Sequence, residues 1–364
     1  MTTCAMWDEG QLVVSGVEAL NGLGFSAYQT WALRRADVRA LKESPFVAWS
    51  GQRIAMGHID ILPEDDFGAP RFHQILTEIS KQWSSWLRGR VPTGRLASAL
   101  TLPERYATEM DHPRFSKERA QLAGVHQELM RGIAQGARCE VHPYGHAGAA
   151  YSIQWAGQQL SAGEADLAIV AGVDSYYDPD VIDGLLEREQ LHLGGIEGLV
   201  PGEGGALLVI TTRRFAQDTG LPILATLDGA SVNVEPIYSA VGPNHGSGLT
   251  DAVCALTDAM AERGGRVDWW LGDVSNEAYR VREYQLAFPR FSARVSHDES
   301  RMEFLPNHFG DLGAATLPTA ITIAVEAFSR AASNARNCLA WASSHGSTRG
   351  AVLIGHPNPG ALHA

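Results

Sequence analysis

The sequence predicts an α/β fold built of two similar halves, each a mixed sheet covered by helices. Three observations carry this prediction. Short apolar runs punctuated by glycine alternate with longer amphipathic stretches. One glycine-alanine phrase recurs, each time followed by a helical pattern and then a strand pattern. At 364 residues, 45% hydrophobic and with 38 glycines, the chain is long and apolar enough to bury a sizeable core.

The elements follow in order. Residues 12–17 read as a strand and 27–41 as a helix with Trp31, Leu33 and Val38 among its apolar positions. Residues 43–75, which include Pro45, Pro63 and Pro70 and lack a clear period, read as a long surface excursion. A helix is predicted over 117–135, ended by Gly136, and another over 148–160, before a nearly continuous apolar strand at 166–173. Strands at 206–211 and 224–234 flank a polar stretch, 212–220, which is the candidate boundary dividing the chain into 1–216 and 217–364. Residues 250–263 read as helix, 267–273 as strand and 313–330 as a long helix despite Pro318, with strands at 339–343 and 351–354 closing the chain. Strands alternating with helices imply parallel or mixed sheets.

Charge and cysteine usage bound the function. Lys and Arg total 29 against 41 Asp and Glu, a net charge of −12, which argues against a protein that coats nucleic-acid phosphates. No apolar run reaches the roughly 18 residues of a membrane span. The first ten residues hold Asp8 and Glu9 and no basic cluster, unlike a secretory signal. Cys4, Cys139, Cys254 and Cys338 are scattered without metal or disulfide spacing. A cytoplasmic protein is therefore expected, with neither a nucleic-acid nor a membrane partner and with no cofactor.

The recurring phrase is Gly145-His146-Ala147-Gly148-Ala149-Ala150, leading to the strand at 167–170, and Gly310-Asp311-Leu312-Gly313-Ala314-Ala315, leading to that at 339–342. Two Gly/Ala helix starts could agree by chance, but the shared downstream order favours a duplicated half. Three further stretches accompany it: Leu12 to Val17 with Gly22-Leu23-Gly24, Gly163 to Ser175, and Pro201 to Val209 with its Gly202-Glu203-Gly204 core. Together with Gly310 to Ala315 they resemble, in the expected order, the thiolase-fold condensing enzymes, the β-ketoacyl-acyl-carrier-protein synthases. The resemblance implies a thiolase-like fold: two pseudo-symmetric halves with mixed sheets and a shared central helical layer.

It also implies a Cys-His-His set, in which a cysteine at a helix N-terminus takes the acyl chain and two histidines assist decarboxylation and hold the thioester carbonyl. At the matching positions this chain carries His146 for the cysteine, Asp273 for the first histidine and Asp311 for the second, although Gly310 also aligns at the last. The lysine that usually precedes the second histidine is missing from Leu305-Pro306-Asn307-His308. Cys139, seven residues ahead of His146, lies upstream of the nucleophile turn and is expected in a strand. An acyl-imidazole is prone to hydrolysis, and two carboxylates repel a malonyl group and donate no hydrogen bond unless protonated. Decarboxylative condensation is not expected.

Three readings of His146, Asp273 and Asp311 remain open. Asp311 could orient His146 for general-base work. It could simply cap its helix while His146 fills the space of the cysteine. A metal could be held by the three with His308 or His345, though no local ligand motif supports it. His142, four residues before His146, is kept off a shared helix face by Pro143 and Gly145. Ser344-His345-Gly346-Ser347 stands where the family carries a glycine-phenylalanine-glycine-glycine gating loop, and reads equally as an ordinary turn. Glu203 reads as a structural acceptor of backbone N–H groups, Trp269 and Trp270 as core, and Glu64-Asp65-Asp66 as a solvated loop.

The resemblance thus implies a ketosynthase-like accessory protein that pairs with a second thiolase-fold chain, as chain-length factors do, or with a component of type VI secretion effector delivery, where altered thiolase-like proteins also occur. An acyl-carrier protein is a further candidate partner, disfavoured by like charge. The alternative is an acyltransferase or thioester hydrolase acting on acyl-carrier-protein or acyl-coenzyme A through His146 with Asp311 or Asp273.

Overall fold

The structure is a computed structural model and describes residues 2–8, 11–107, 112–194, 197–238, 242–330 and 332–358. After a short strand β1 (Thr3–Met6), the first half runs β2 (Leu12–Asn21), α1 (Ala27–Arg35), a hairpin of β3 (Lys42–Val47) and β4 (Arg53–Met56), α2 (Ala69–Leu87), β5 (Leu96–Thr101), α3 (Pro113–Arg131), β6 (Arg138–His142), α4 (Gly148–Ser161), β7 (Leu167–Ser175), α5 (Pro179–Glu187) and β8 (Glu203–Thr212). Helix α6 (Arg213–Thr219) leads to the second half: β9 (Ala225–Val234), α7 (Ser247–Glu262), β10 (Trp269–Gly272), α8 (Ala278–Ser292), β11 (Arg301–Phe304), α9 (Pro306–Phe309), α10 (Thr316–Ser329), β12 (Asn337–Ser343) and β13 (Thr348–Gly355).

The sheet order shows the duplication. It reads β6-β5-β7-β8-β2 in the first half and β11-β10-β12-β13-β9 in the second. In each, the chain's third strand lies outermost, then its second, fourth, fifth and first. Pairing matches as well: β6, β5 and β7 are parallel and β8 and β2 antiparallel, just as β11, β10 and β12 are parallel and β13 and β9 antiparallel. A short antiparallel contact from Leu12 to Val14 on β9 joins the halves into one ten-stranded path, and β1, paired to β9 off that path, makes the sheet 11-stranded.

Two helices fill the space between the halves. In α10 almost every residue is buried, the pattern of a helix enclosed on all sides. It packs on β2, β7, β8 and β12, while α4 packs on β5, β7, β9 and β13, so each touches strands of both halves. Pro318 falls in the first turn of α10, where its missing N–H costs no hydrogen bond.

Several expectations change. Residues 43–75 are ordered: the β3–β4 hairpin buries Ile54 and Met56 against Tyr176 and Tyr177, and α2 begins at Ala69. Their prolines misled because Pro45 sits in a two-stranded edge and Pro70 in a first helical turn, both tolerant positions. The polar stretch at 212–220 is α6, capped by the Thr212 hydroxyl on the Phe215 N–H and ended by Gly220 at φ 70°. Ala216, the proposed point of division, is buried within this helix, which links β8 of the first half to β9 of the second. Cys139 lies in β6, half-buried, its thiol pushed up to about 11 by burial. Trp269 and Trp270 pack into different core clusters, as adjacent strand residues do.

Candidate functional site

The site gathers at the carboxyl ends of β5, β7, β10 and β12, where the N-terminal turns of α4 and α10 meet. Gly145, at φ 64°, lets β6 break into a single 3₁₀ turn, Gly145–Ala147, that places His146 at the mouth of α4. Gly313, at φ 49°, opens the corresponding turn Gly313–Ala315 ahead of α10. The two turns therefore correspond Gly145 to Gly313. The hexapeptides that agree letter by letter are offset by three residues in space, and Asp311 stands just ahead of its turn instead of within it.

Asp311 nevertheless reaches His146. Its Oδ1 lies 2.6 Å from His146 Nε2 and also accepts the Gly313 N–H at 2.7 Å, so one oxygen both contacts the imidazole and caps the turn. The side chains are 3% and 2% exposed. Arg280, on α8, completes the group. Its Nη1 donates to Asp273 Oδ2 at 2.8 Å, its Nε lies 3.0 Å from Glu277, and its Nη2 is 3.3 Å from His146 Nε2 and 4.0 Å from Asp311 Oδ2. Asp273 also accepts the Ser343 N–H at 2.7 Å. His146, Asp273 and Asp311 are thus brought together, the two carboxylates bridged by a guanidinium.

Electrostatics follow from this geometry. Burial alone disfavours the His146 imidazolium, but the Asp311 carboxylate and its hydrogen bond, aided by Asp273, outweigh burial and Arg280 and raise its pKa. The same pair, with Arg280 adding, overcomes burial at Asp311 and holds it far below the usual carboxylate range. Asp273 is raised, burial outweighing Arg280.

The helix N-termini facing the site are satisfied from the opposite half. Asp174, at the end of β7, accepts the Ala314 N–H at 3.0 Å, and Ser344, just after β12, accepts the Ala147 N–H at 3.0 Å while donating to the Tyr144 carbonyl at 2.6 Å. Asp174 is itself held by Arg105 at 2.9 Å.

His146 lines a cleft of about 880 Å³, behind which Asp311 and Asp273 sit. Across it, His345 lies between two phenols, with Nε2 3.1 Å from Tyr176 Oη and Nδ1 3.1 Å from Tyr279 Oη, and its ring centre 4.9 Å from that of His146. Burial, Arg280 and His146 drive its pKa well down, so it is neutral. The loop carrying His345 is pinned, not free to swing. Glu104 accepts the Gly346 N–H at 2.8 and 3.1 Å, and the buried Arg349 donates to the carbonyls of Ser344, Gly346 and Thr348.

His146, Asp311 and His345 bring potential ligand atoms within 4.8 Å of one another. The donor set does not fit a cation: Asp311 is committed to His146, both His345 nitrogens to tyrosines, and a guanidinium stands 3.3 Å away. Asp273 is committed to Arg280 and His308 to Asp37 at 3.1 Å, so neither joins the set. His142 bonds Ser152 at 2.9 Å. Glu203 accepts the Ile59 N–H as expected, but its main partner is Arg71, bound through both oxygens at 2.6 Å in the fully buried core. Sequence reasoning missed Arg280, Asp174, Glu104, Tyr176 and Tyr279. Asp174 lay within a quoted stretch, and a search for cations able to neutralise Asp273 within two helical turns would have found Arg280.

The comparisons define the class. No protein-family profile matches the chain. Over 285 residues, 66% of this chain and 68% of the relative, it is 27% identical to "3-oxoacyl-[acyl-carrier-protein] synthase 2" of Mycobacterium tuberculosis, with the same match in Mycobacterium bovis. Among solved structures, the type II polyketide ketosynthase complex AntDE:AntF aligns with a TM-score of 0.76 at 13% identity, over 96% of this chain and 99% of that one. The ishigamide ketosynthase/chain length factor gives 0.70 at 15%, over 95% and 99%. A bacillaene synthase ketosynthase of Bacillus subtilis gives 0.73 at 12%, over 96% and 72%. The fold is thiolase-like, of the ketosynthase type. Among the described residues no helix is long and apolar enough to cross a membrane.

Proposed function

We propose that this chain is a ketosynthase-like accessory subunit that does not condense acyl groups and acts by pairing with a second thiolase-fold chain. One observation carries the reading: the place where the family resemblance expects Cys-His-His is occupied by a buried charge network of His146, Asp311, Arg280 and Asp273, with Glu277 on the same guanidinium. Condensation needs a thiolate and unoccupied donors. Here an imidazole bonded to a carboxylate sits at the nucleophile position, and the Ala147, Gly313 and Ala314 N–H groups are taken by side chains.

Pairing has a surface to use. The resemblance implies dimerisation through the edge strand beside the nucleophile segment, and β6, outermost in its half, leads directly into the His146 turn. Tyr144 and Tyr151 stand 38% and 39% exposed beside it, their rings 5.1 Å apart. The ishigamide neighbour is itself described as a ketosynthase/chain length factor, and the AntDE:AntF neighbour as a ketosynthase with its acyl-carrier protein, which supports a thiolase-fold partner and admits a carrier protein.

A second reading, acyl transfer or thioester hydrolysis by His146, draws on the 2.6 Å bond that orients its ring. It is weakened because the same bond and the raised pKa favour the protonated ring, which accepts no proton.

Native mass spectrometry of protein gently purified from its host tests the proposal. A heteromer with a thiolase-fold chain retaining a reactive cysteine supports it, whereas a complex with a secretion component moves the chain to effector delivery. A homodimer that turns over acyl-coenzyme A or acyl-carrier protein, with loss on His146→Ala, overturns it in favour of the enzyme.

A further inference from the structure

The cleft beside His146 contains more hydrogen-bond donors than the protein itself uses. Tyr176, His345 and Tyr279 form a row with two contacts, each of 3.1 Å. A neutral imidazole carries one N–H, and each phenol one O–H, so the row holds three hydrogens for two bonds. Whichever tautomer His345 adopts, one phenolic O–H is left over. If Tyr279 donates to Nδ1, the free hydrogen is on Tyr176, and in the reverse arrangement it is on Tyr279. The Arg280 Nε–H, 3.3 Å from the Tyr279 oxygen, is a further donor onto that atom. Both tyrosines line the cleft.

His146 also lines the cleft, and its buried Nδ1 has no hydrogen-bond partner among the described residues. Surplus donors in a buried site are costly unless an acceptor completes them. The walls select which kind: five acidic side chains, Glu104, Asp174 and Glu277 among them, line the cleft against two arginines, Arg188 and Arg105, the latter already bound to Asp174, so a carboxylate ligand meets net like charge. The volume of about 880 Å³ lies in the range of small-molecule sites.

We propose that this cleft binds an uncharged carbonyl compound (a ketone, amide or ester), its oxygen accepting from the surplus tyrosine O–H beside His345, and that it discriminates against carboxylates. The proposal deepens the non-condensing reading by giving the retained pocket a ligand class and no chemistry.

The test uses the full chain with 2-heptanone carrying a ¹³C carbonyl, and heptanoate as the charged counterpart of equal length. Infrared difference spectra of the wild-type protein should show the bound ketone stretch shifted to lower wavenumber than in hexane. Heptanoate should bind at least about tenfold more weakly. Tyr176→Phe/Tyr279→Phe should keep its melting curve and lose about three- to tenfold in ketone affinity, the worth of one neutral hydrogen bond. An unshifted carbonyl band, equal binding of heptanoate, no binding at millimolar ketone, or unchanged affinity in a folded double variant overturns it. The wild-type band decides the matter if the double variant does not fold. Partner capture and acyl turnover are separate measurements, so the accessory reading can fail while this binding stands, and the reverse.

Discussion

Replacing Asp311 with asparagine separates the charge of the His146–Asp311 pair from its shape. Asparagine keeps an oxygen for the Gly313 N–H, which Asp311 accepts at 2.7 Å, but removes the carboxylate 2.6 Å from His146 Nε2. With charge centres about 4 Å apart and an effective dielectric of ~20, the lost attraction is about 4 kcal/mol. Removing one partner of a buried pair costs about 3–5 kcal/mol. Relief comes if His146 gives up its proton, since burial and Arg280 both favour the neutral ring once the carboxylate is gone. A net loss of about 3 kcal/mol at pH 5.5 is expected. The pH dependence has a defined sign. The folded pKa of His146 is raised above 6.5, so its contribution is complete below that value and fades as pH rises through the folded pKa. Asp311 is lowered from 3.8, so its contribution is complete above that value and fades only as pH falls through its folded pKa. The pair therefore stabilises most between about pH 4 and 6.5. The penalty of Asp311→Asn should be smaller at pH 9.5, where the attraction to a protonated His146 has faded and the hydrogen bond and the attraction to Arg280, 4.0 Å away, are what is lost. Urea unfolding followed by tryptophan fluorescence at both pH values measures it, and a cycle with His146→Gln gives the coupling. Equal penalties at both pH values, or a coupling below about 0.5 kcal/mol, would refute a charged pair.

Further outcomes follow from the same contacts. His146→Cys should not restore condensation, and its thiol should be alkylated slowly by iodoacetamide at pH 7.5, because burial and Asp311 raise a thiol pKa; rapid labelling would show that the pocket favours anions. Gly172→Ala places a Cβ 2.3 Å from the Ala314 carbonyl oxygen, so the 313–315 turn must move off β7, and a loss of about 2–3 kcal/mol is expected; an unchanged melting temperature would show slack in that packing. In the native chain at pH 8, Cys139, at about 11, and the buried Cys338 should not react with an aromatic disulfide reagent, whereas all four cysteines should react in urea.

The fold was legible wherever local pattern and tertiary role agree. The apolar strand at 167–175 and the repeated glycine-alanine phrase are visible because full burial on both faces leaves a continuous hydrophobic run, and a tight helix start requires small residues. β5 was missed because Leu96-Ala97-Ser98-Ala99-Leu100-Thr101 is fully buried with small residues and lacks a strand's usual branched side chains. Within the site, His146, Asp273 and Asp311 were legible only through the family resemblance, and the structure brings the three together. Arg280 was not: α8 carries charges on several faces, and only its tertiary placement turns Arg280 and Glu283 inward. His345 was noticed as part of a loop, but its meaning depends on Tyr176, 169 residues away in sequence.

Duplication explains why an altered site can still be a single unit. Two similar halves place two helix N-termini at one seam, each with a positive end that needs an acceptor. Exchange across the seam supplies it: Asp174 of the first half caps the turn of α10, and Ser344 of the second caps that of α4. Those caps lock the halves together without a ligand, which an enzyme keeping its donors open for an oxyanion cannot do to the same extent. The charges at the seam are shared on the same principle: Arg280 meets Asp273 at 2.8 Å and Glu277 at 3.0 Å and lies 4.0 Å from Asp311, which in turn meets His146 at 2.6 Å. Three carboxylates thus share one guanidinium, and this excess of negative charge is what favours the proton on His146.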